Sequence, residues 1–198
     1  MVRPRLGILG GTFDPPHIGH LAAAVEVRAA LALDRVLLMV ANDPWQKTGG
    51  RPLSPARDRL DLAIAAAEGL DGVVASDLEI ERGGPTYTID TLEQLLAREP
   101  DSELFLIMGA DAAAGLDTWH RHVELPALAT LVIVDRAGES EPVIPPGWTV
   151  EHLGIPRLDV SSTGLRARAA AGRPLRPFVP AAVEAIIRDR AMYGSRRP

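Results

Sequence analysis

Cysteine is absent from the sequence, which removes disulfide bonds, thiolate nucleophiles and cysteine-ligated zinc together and suits a reducing compartment. A basic surplus is absent too: 21 lysines and arginines face 26 aspartates and glutamates, for a formal net charge of -5. Proteins that grip a nucleic-acid backbone usually carry a basic face, so this balance gives no electrostatic reason to expect such a partner. No apolar run approaches the roughly 20 residues that span a bilayer. The opening MVRPRLGILGG reaches glycines too early for the apolar core of a signal peptide. A cytoplasmic protein with no membrane partner is therefore expected. The sequence shows no internal repeat, no low-complexity tract and no carboxylate cluster that would make a metal cage.

What is present is an ordinary globular balance, 46% hydrophobic and 24% charged over 198 residues, which argues against disorder and for one domain spanning 1–198. Arg5 to Leu9 reads as a short buried strand. Ile18 to Leu33 reads as a helix whose alanines, Leu21, Val25 and Ala29 share a face, and Val36 to Val40 as a second strand. Strand, helix and strand in that space make a parallel crossover unit. Asn42 to Pro55, with three prolines and two adjacent glycines, is a loop of the length that tends to be functional. Ser54 is expected to cap a helix from Pro55 to about Glu68. Val73 to Ile80 reads as a strand or two, Ile89 to Arg98 as a helix, and Glu103 to Met108, Leu128 to Val134 and Val150 to Leu153 as strands. Ser162 to Ala171 and Pro180 to Met192 read as helices packed on the rest, and the polar tail GSRRP is expected to fray. The alternation predicts an α/β fold, a doubly wound and mainly parallel sheet with helices on both faces. Ligands of such sheets sit beyond the carboxyl ends of the strands, so Gly10, Gly109 and the loop after Val40 should share one rim.

The stretch GILGGTFDPPHIGHLAAA concentrates the chemistry. Glycines after a strand let backbone N–H groups approach a ligand closely, and a helix N-terminus at Ile18 adds unpaired N–H groups and a positive dipole end. His17 and His20, three apart at that helix start, point roughly the same way. Together they suit a polyphosphate whose charge grows during reaction. The motifs GxxxxGK[ST] and GxGxxG are both missing, so neither a P-loop nor a dehydrogenase fingerprint accounts for the site. Arg166 lies near the start of a helix opened by Ser161, Ser162 or Thr163, whose hydroxyls either cap that helix or bind phosphate. Asp111, after a strand and a glycine, suits ribose hydroxyls, and Arg136, just past a strand, either borders an adenine or lies on the surface. Thr86, Tyr87 and Thr88 precede a helix, where free N–H groups suit a carboxylate. His120 and His122 are expected to be exposed, with no metal-ligand spacing. Asp159 either assists a magnesium ion or faces solvent.

The string GGTFDPPHIGH resembles the signature of the nucleotidyltransferase superfamily, whose hallmark is the HxGH element. PWQK at Pro44 to Lys47, GGPTYTIDTL at Gly83 to Leu92, GADAAAGLDTW at Gly109 to Trp119 and SSTGLR at Ser161 to Arg166 extend the likeness over nearly all of the chain. In these the sequence is similar to the nicotinate mononucleotide adenylyltransferases of bacterial NAD synthesis. The resemblance implies that His17, His20, Lys47 and Arg166 contact ATP phosphates and that the backbone of Gly10, Gly11 and Thr12 lines the same cleft. It implies that Asp111 holds the ATP ribose beside Gly109 and that Trp119 stacks on the pyridine ring. PWQK departs from the family's usual two prolines and histidine before the lysine, and Trp45 there is placed to cover a substrate.

The implied reaction is attack by the 5′-phosphate of nicotinate mononucleotide on the α-phosphorus of ATP, releasing pyrophosphate. Its nucleophile is already an anion, so alignment and charge neutralisation should dominate. His20 is the first choice for the α-phosphate region and His17 the second, with Lys47 and Arg166 on the leaving pyrophosphate. Mg2+ is expected to arrive with ATP, without a dedicated protein metal site. Preference for nicotinamide mononucleotide and a non-catalytic nucleotide-binding regulatory module are the alternatives, and a homo-oligomer stays open.

Overall fold

The computed structural model describes residues 3–44, 53–136, 142–156 and 158–195. Six strands, β1 (Arg5–Gly11), β2 (Arg35–Val40), β3 (Val73–Ser76), β4 (Glu103–Gly109), β5 (Thr130–Arg136) and β6 (Val150–Ile155), form one sheet in the order β3-β2-β1-β4-β5-β6. Every neighbouring pair is parallel. The helices are α1 (Ile18–Ala30), α2 (Ala56–Ala67), α3 (Leu78–Arg82), α4 (Thr88–Arg98), α5 (Ala110–Ala113), α6 (Ser162–Ala170) and α7 (Ala181–Asp189). The chain grows outward from β1 on one side and returns to β4 on the other, so the order reverses between β1 and β4, where a ligand crevice belongs.

Both sheet faces are covered, which is why the central strands read as unbroken apolar runs rather than alternating ones. On one face Leu6, Ile8, Leu104, Leu106, Met108, Leu131 and Ile133 pack against Ile89, Leu92 and Leu95 of α4. On the other, Leu9, Leu38, Phe105, Ile107, Val132 and Val134 meet Ala23, Ala24 and Val27 of α1 and Leu60, Ala63 and Ala67 of α2. A third cluster joins Leu62 and Ala66 of α2 to Leu165, Ala169, Val183, Ile187 and Met192. It seats α6, α7 and the turn after α7 against α2.

Several boundaries differ from the sequence reading for local reasons. β1 continues through both glycines, because Gly10 and Gly11 stay in register with Met39 and Val40. The buried face of α1 is Ala23, Ala24 and Val27, and Val25 points outward at 40% exposure. Ser54 does not cap α2, which starts after Pro55 without a side-chain cap. Val73 to Ile80 is not all strand: the ladder to β2 ends at the Met39–Ser76 pair, and the chain turns into α3 instead. α7 stops at Asp189, and left-handed Ala191 separates it from a short 3-10 turn, Met192–Gly194.

Candidate active site

The segment between β1 and α1 is built around a buried ring. Phe13 is 1% exposed and adopts φ 48°, a left-handed conformation that costs a bulky residue free energy and needs surroundings that enforce it. Its ring sits edge to face against His20, centroids 5.1 Å apart. His17 is the N-cap of α1, buried, and its ring stacks on His20 at 3.7 Å and 24°. The main-chain N–H of His17 donates to Nδ1 of His20 at 3.2 Å. In that arrangement Nδ1 accepts, so the neutral imidazole carries its proton on Nε2. A helix start that lacks the usual Ser, Thr, Asp or Asn is thus closed by a histidine three residues on. Not all the N–H groups expected there are offered outward, since that of Ile18 donates to Phe178 O at 3.0 Å.

Two cavities open at this end of the sheet, and Met108 of β4 lines both. The first, about 280 Å³, is lined by His17, His20, Gly109, Ser161 and Ser162 together with Val134 and Ile155. The second, about 300 Å³, is lined by Gly10, Gly11, Thr12, Thr86, Tyr87, Thr88, Trp119, His120 and, among others, Glu79. The sequence-selected residues therefore divide between a histidine-walled cleft and an aromatic one, and Gly10, Gly11 and Thr12, expected beside the histidines, line the aromatic one instead. Gly10 and Gly109 share one rim, as the α/β pattern requires. Trp119 is half-buried and packs against the apolar core, and Tyr87 lies against His120 with ring centroids 4.4 Å apart.

Other selected residues have different surroundings. Arg166 donates from Nη1 to the Asp14 carbonyl at 2.8 Å and from Nη2 to Thr163 Oγ1 at 3.0 Å, so it braces the β1–α1 segment. Ser161 caps α6, accepting from Gly164 N–H at 3.1 Å, while the Ser162 hydroxyl donates to Pro15 O at 2.8 Å. Asp111 is exposed in the first turn of α5. Arg136 ends β5, and its side chain lies outside the described set. Lys47 and Trp45 lie outside the described residues. Thr86 does not present its N–H to the cavity but donates it to Asp43 O at 2.9 Å. Its hydroxyl oxygen accepts from the N–H groups of Asn42 and Asp43.

Three residues passed over in the sequence reading, Arg59, Asp14 and Glu79, support the site. Arg59, 1% exposed, donates to four main-chain carbonyls: Thr12 at 3.0 Å, Ala41 at 2.6 Å, Asn42 at 2.9 Å and Ser54 at 2.9 Å. It thereby ties the end of β1 to the chain leaving β2 and the chain entering α2. Burial lowers its pKa, with Asp14 opposing. The signal was available, because Arg59 shares the α2 face of Leu62, Ala63 and Ala66, and a charge on a core stripe needs partners. Asp14 is fully buried and accepts from Ser54 N–H at 3.3 Å and the Tyr193 hydroxyl at 2.7 Å. Glu79, 5% exposed, accepts from Thr91 Oγ1 at 2.6 Å. Burial pushes its carboxyl above the ordinary range, the Thr91 hydroxyl, Arg82 and the Thr86 hydroxyl opposing. His120, expected to be merely exposed, also lines the second cavity.

A parallel sheet in this order, with a glycine-rich strand end and paired imidazoles at its switch point, defines an α/β protein of the nucleotidyltransferase class. A family model described as cytidylyltransferase-like matches residues 8–168. The chain is 46% identical over 193 residues to a probable nicotinate-nucleotide adenylyltransferase of Corynebacterium kroppenstedtii, covering 96% of this chain and 91% of that one. A counterpart in Thermus thermophilus is 41% identical over 189 residues, covering 96% and 99%. The chain belongs to the cytidylyltransferase-like family, among its nicotinate-nucleotide adenylyltransferases. The fold matches Plasmodium falciparum nicotinic acid mononucleotide adenylyltransferase solved with NaAD, with a TM-score of 0.80 at 16% identity, covering 98% of this chain and 100% of that one.

Proposed function

We propose that this enzyme transfers the adenylyl group of MgATP to nicotinate mononucleotide in the cytoplasm, giving nicotinate adenine dinucleotide and pyrophosphate. One bond forms between a 5′-phosphate oxygen and the α-phosphorus, and the α–β bridging bond breaks as pyrophosphate leaves with its electron pair. The nucleophile needs no deprotonation, so the protein's contribution is alignment and neutralisation of charge. The observation that carries this reading is the His17–His20 stack on the wall of the cleft that also contains Gly109 and the start of α6.

His20, whose Nδ1 accepts from the backbone, serves the α-phosphate region through Nε2–H, and His17 backs its ring. Lys47 and Arg166 serve the leaving pyrophosphate, Arg166 from beside Asp14. Ser161, Ser162, Thr163, Asp111 and Arg136 border the nucleoside and phosphates of ATP. Tyr87, Thr88, Trp119 and Trp45 belong to the mononucleotide, its ring on the indole face and its carboxylate toward the start of α4. Transfers of this class use a divalent metal. Mg2+ is carried on phosphate oxygens and water as part of the substrate.

The test is pyrophosphate release from MgATP by pure protein with nicotinate or nicotinamide mononucleotide as acceptor. Release matched mole for mole by dinucleotide, with the higher kcat/KM for the acid, is the expected result. ATP binding with no release on adding either acceptor would leave a non-catalytic nucleotide-binding module.

A further inference from the structure

We propose that Tyr193, in the turn after α7, is a positioning residue that holds the β1–α1 segment and its two histidines in register through the carboxylate of Asp14. The inference rests on the reaction assigned above to that site.

Asp14 lies three residues before His17 and is fully buried. A buried carboxylate requires donors, and its Oδ1 accepts from the Tyr193 hydroxyl at 2.7 Å. The same short segment is gripped elsewhere by Arg59 on Thr12 O, Arg166 on Asp14 O and Ser162 on Pro15 O. Three of these four contacts, Tyr193, Arg166 and Ser162, come from residues after β6. The C-terminal third of the molecule therefore fixes where the first helix begins.

The backbone adopts unfavourable conformations to deliver the phenol. Ala191 and Tyr193 have φ of 49° and 59°, the left-handed region that costs free energy for a residue with a Cβ and persists where surrounding structure enforces it. The turn is anchored on both sides. Met192 is buried among Leu165, Ala169, Val183 and Ile187, and Ser195 donates its hydroxyl to Ile187 O at 3.0 Å. Of the tail expected to fray, Ser195 is held in this way, and residues 196–198 lie outside the described set. Packing alone does not account for a tyrosine here, because a phenylalanine ring would fill the same apolar space and only the hydroxyl reaches Asp14. Burial raises the phenol's pKa further above its ordinary value, so it stays a neutral donor wherever the enzyme works.

Tyr193→Phe removes one oxygen. It is expected to lower kcat for pyrophosphate release about tenfold, the loss of one hydrogen bond to a charged group, with KM for the mononucleotide within about twofold of wild type. The Kd for inorganic pyrophosphate, by calorimetry on folded protein, should weaken by about the same factor. Asp14→Asn should show a similar loss, and the double variant should be no worse than Asp14→Asn alone. Wild-type turnover and pyrophosphate affinity in Tyr193→Phe, or losses that multiply in the double variant, overturn the proposal. Pyrophosphate binding needs no acceptor: if wild type transfers nothing to either mononucleotide yet Tyr193→Phe still binds pyrophosphate more weakly, the reaction reading fails and this inference stands. A role confined to stability would lower Tm and leave that Kd unchanged.

Discussion

The His17 and His20 rings stack 3.7 Å apart while the His17 N–H donates to His20 Nδ1, so one imidazole both closes the helix start and faces the cleft. Those two roles separate by substitution. His20→Ala removes both, and kcat should fall by about 100- to 1000-fold, as when one charge-stabilising donor is lost, with some loss of helix capping. His20→Asn keeps an acceptor near the Nδ1 position, so Tm should recover most of the way while turnover stays low. Recovery of kcat in His20→Asn would falsify the assignment of Nε2–H as the donor.

Arg59 should be the most sensitive support residue. Its guanidinium satisfies four carbonyls on three chain segments, and an ammonium has neither the span nor the planar fork to do so. Arg59→Lys should cost about 3 kcal/mol, the penalty of leaving buried acceptors unsatisfied. In a protein of this size that is a Tm drop of roughly 6–12 °C. Thermal unfolding followed by circular dichroism checks it, and a drop under about 2 °C would mean the carbonyls find other donors.

The fold was legible because parallel strands buried on both faces announce themselves as apolar runs, and Val36–Val40, Glu103–Met108 and the rim glycines lie where that pattern puts them. The histidines were legible because motif and helix start coincide. What stayed hidden was who holds the site together. Asp14, Glu79 and Tyr193 meet partners 179, 12 and 179 residues away, and no local pattern encodes such pairings. Thr86 lines the aromatic cavity, but its N–H is spent on Asp43, a contact between two loops that spacing cannot reveal. The start of α3 fell inside the Val73–Ile80 stretch read as strand, and only the end of the β2 ladder decides against it.

Glu79 makes stability depend on pH in a stated direction. Burial holds its folded-state pKa above the unfolded one. Its contribution is therefore fully present below the unfolded carboxyl pKa and is lost as pH rises through the raised folded value. Glu79→Gln keeps the shape and an acceptor for Thr91 but cannot ionise. The Tm difference between wild type and Glu79→Gln should shift against wild type, by a few degrees, between about pH 4 and about pH 8. Parallel Tm curves across that range would show that the carboxyl titrates alike in both states.

Gly19 sets two effects against each other. In the first turn of α1, Gly19→Ala replaces the residue that weakens helices, a gain of up to about 1 kcal/mol. A Cβ there would stand 3.1 Å from His17 Nδ1 and 3.3 Å from Val160 Cγ1, too close unless the imidazole moves by a few tenths of an ångström. His17 cannot move alone, because its ring lies on His20, which is backed in turn by Phe13. The displacement therefore reaches the group assigned to the α-phosphate. Small misplacements of reacting groups are costly to rate, up to about 100-fold per ångström, so kcat should fall by several-fold to about tenfold. Helix propensity offsets the crowding in stability but does nothing to restore the ring, so Tm should hold or rise slightly. Measured together, unchanged Tm with reduced kcat identifies the glycine as clearance for His17. Unchanged kcat would mean the imidazole has room that the packing denies it.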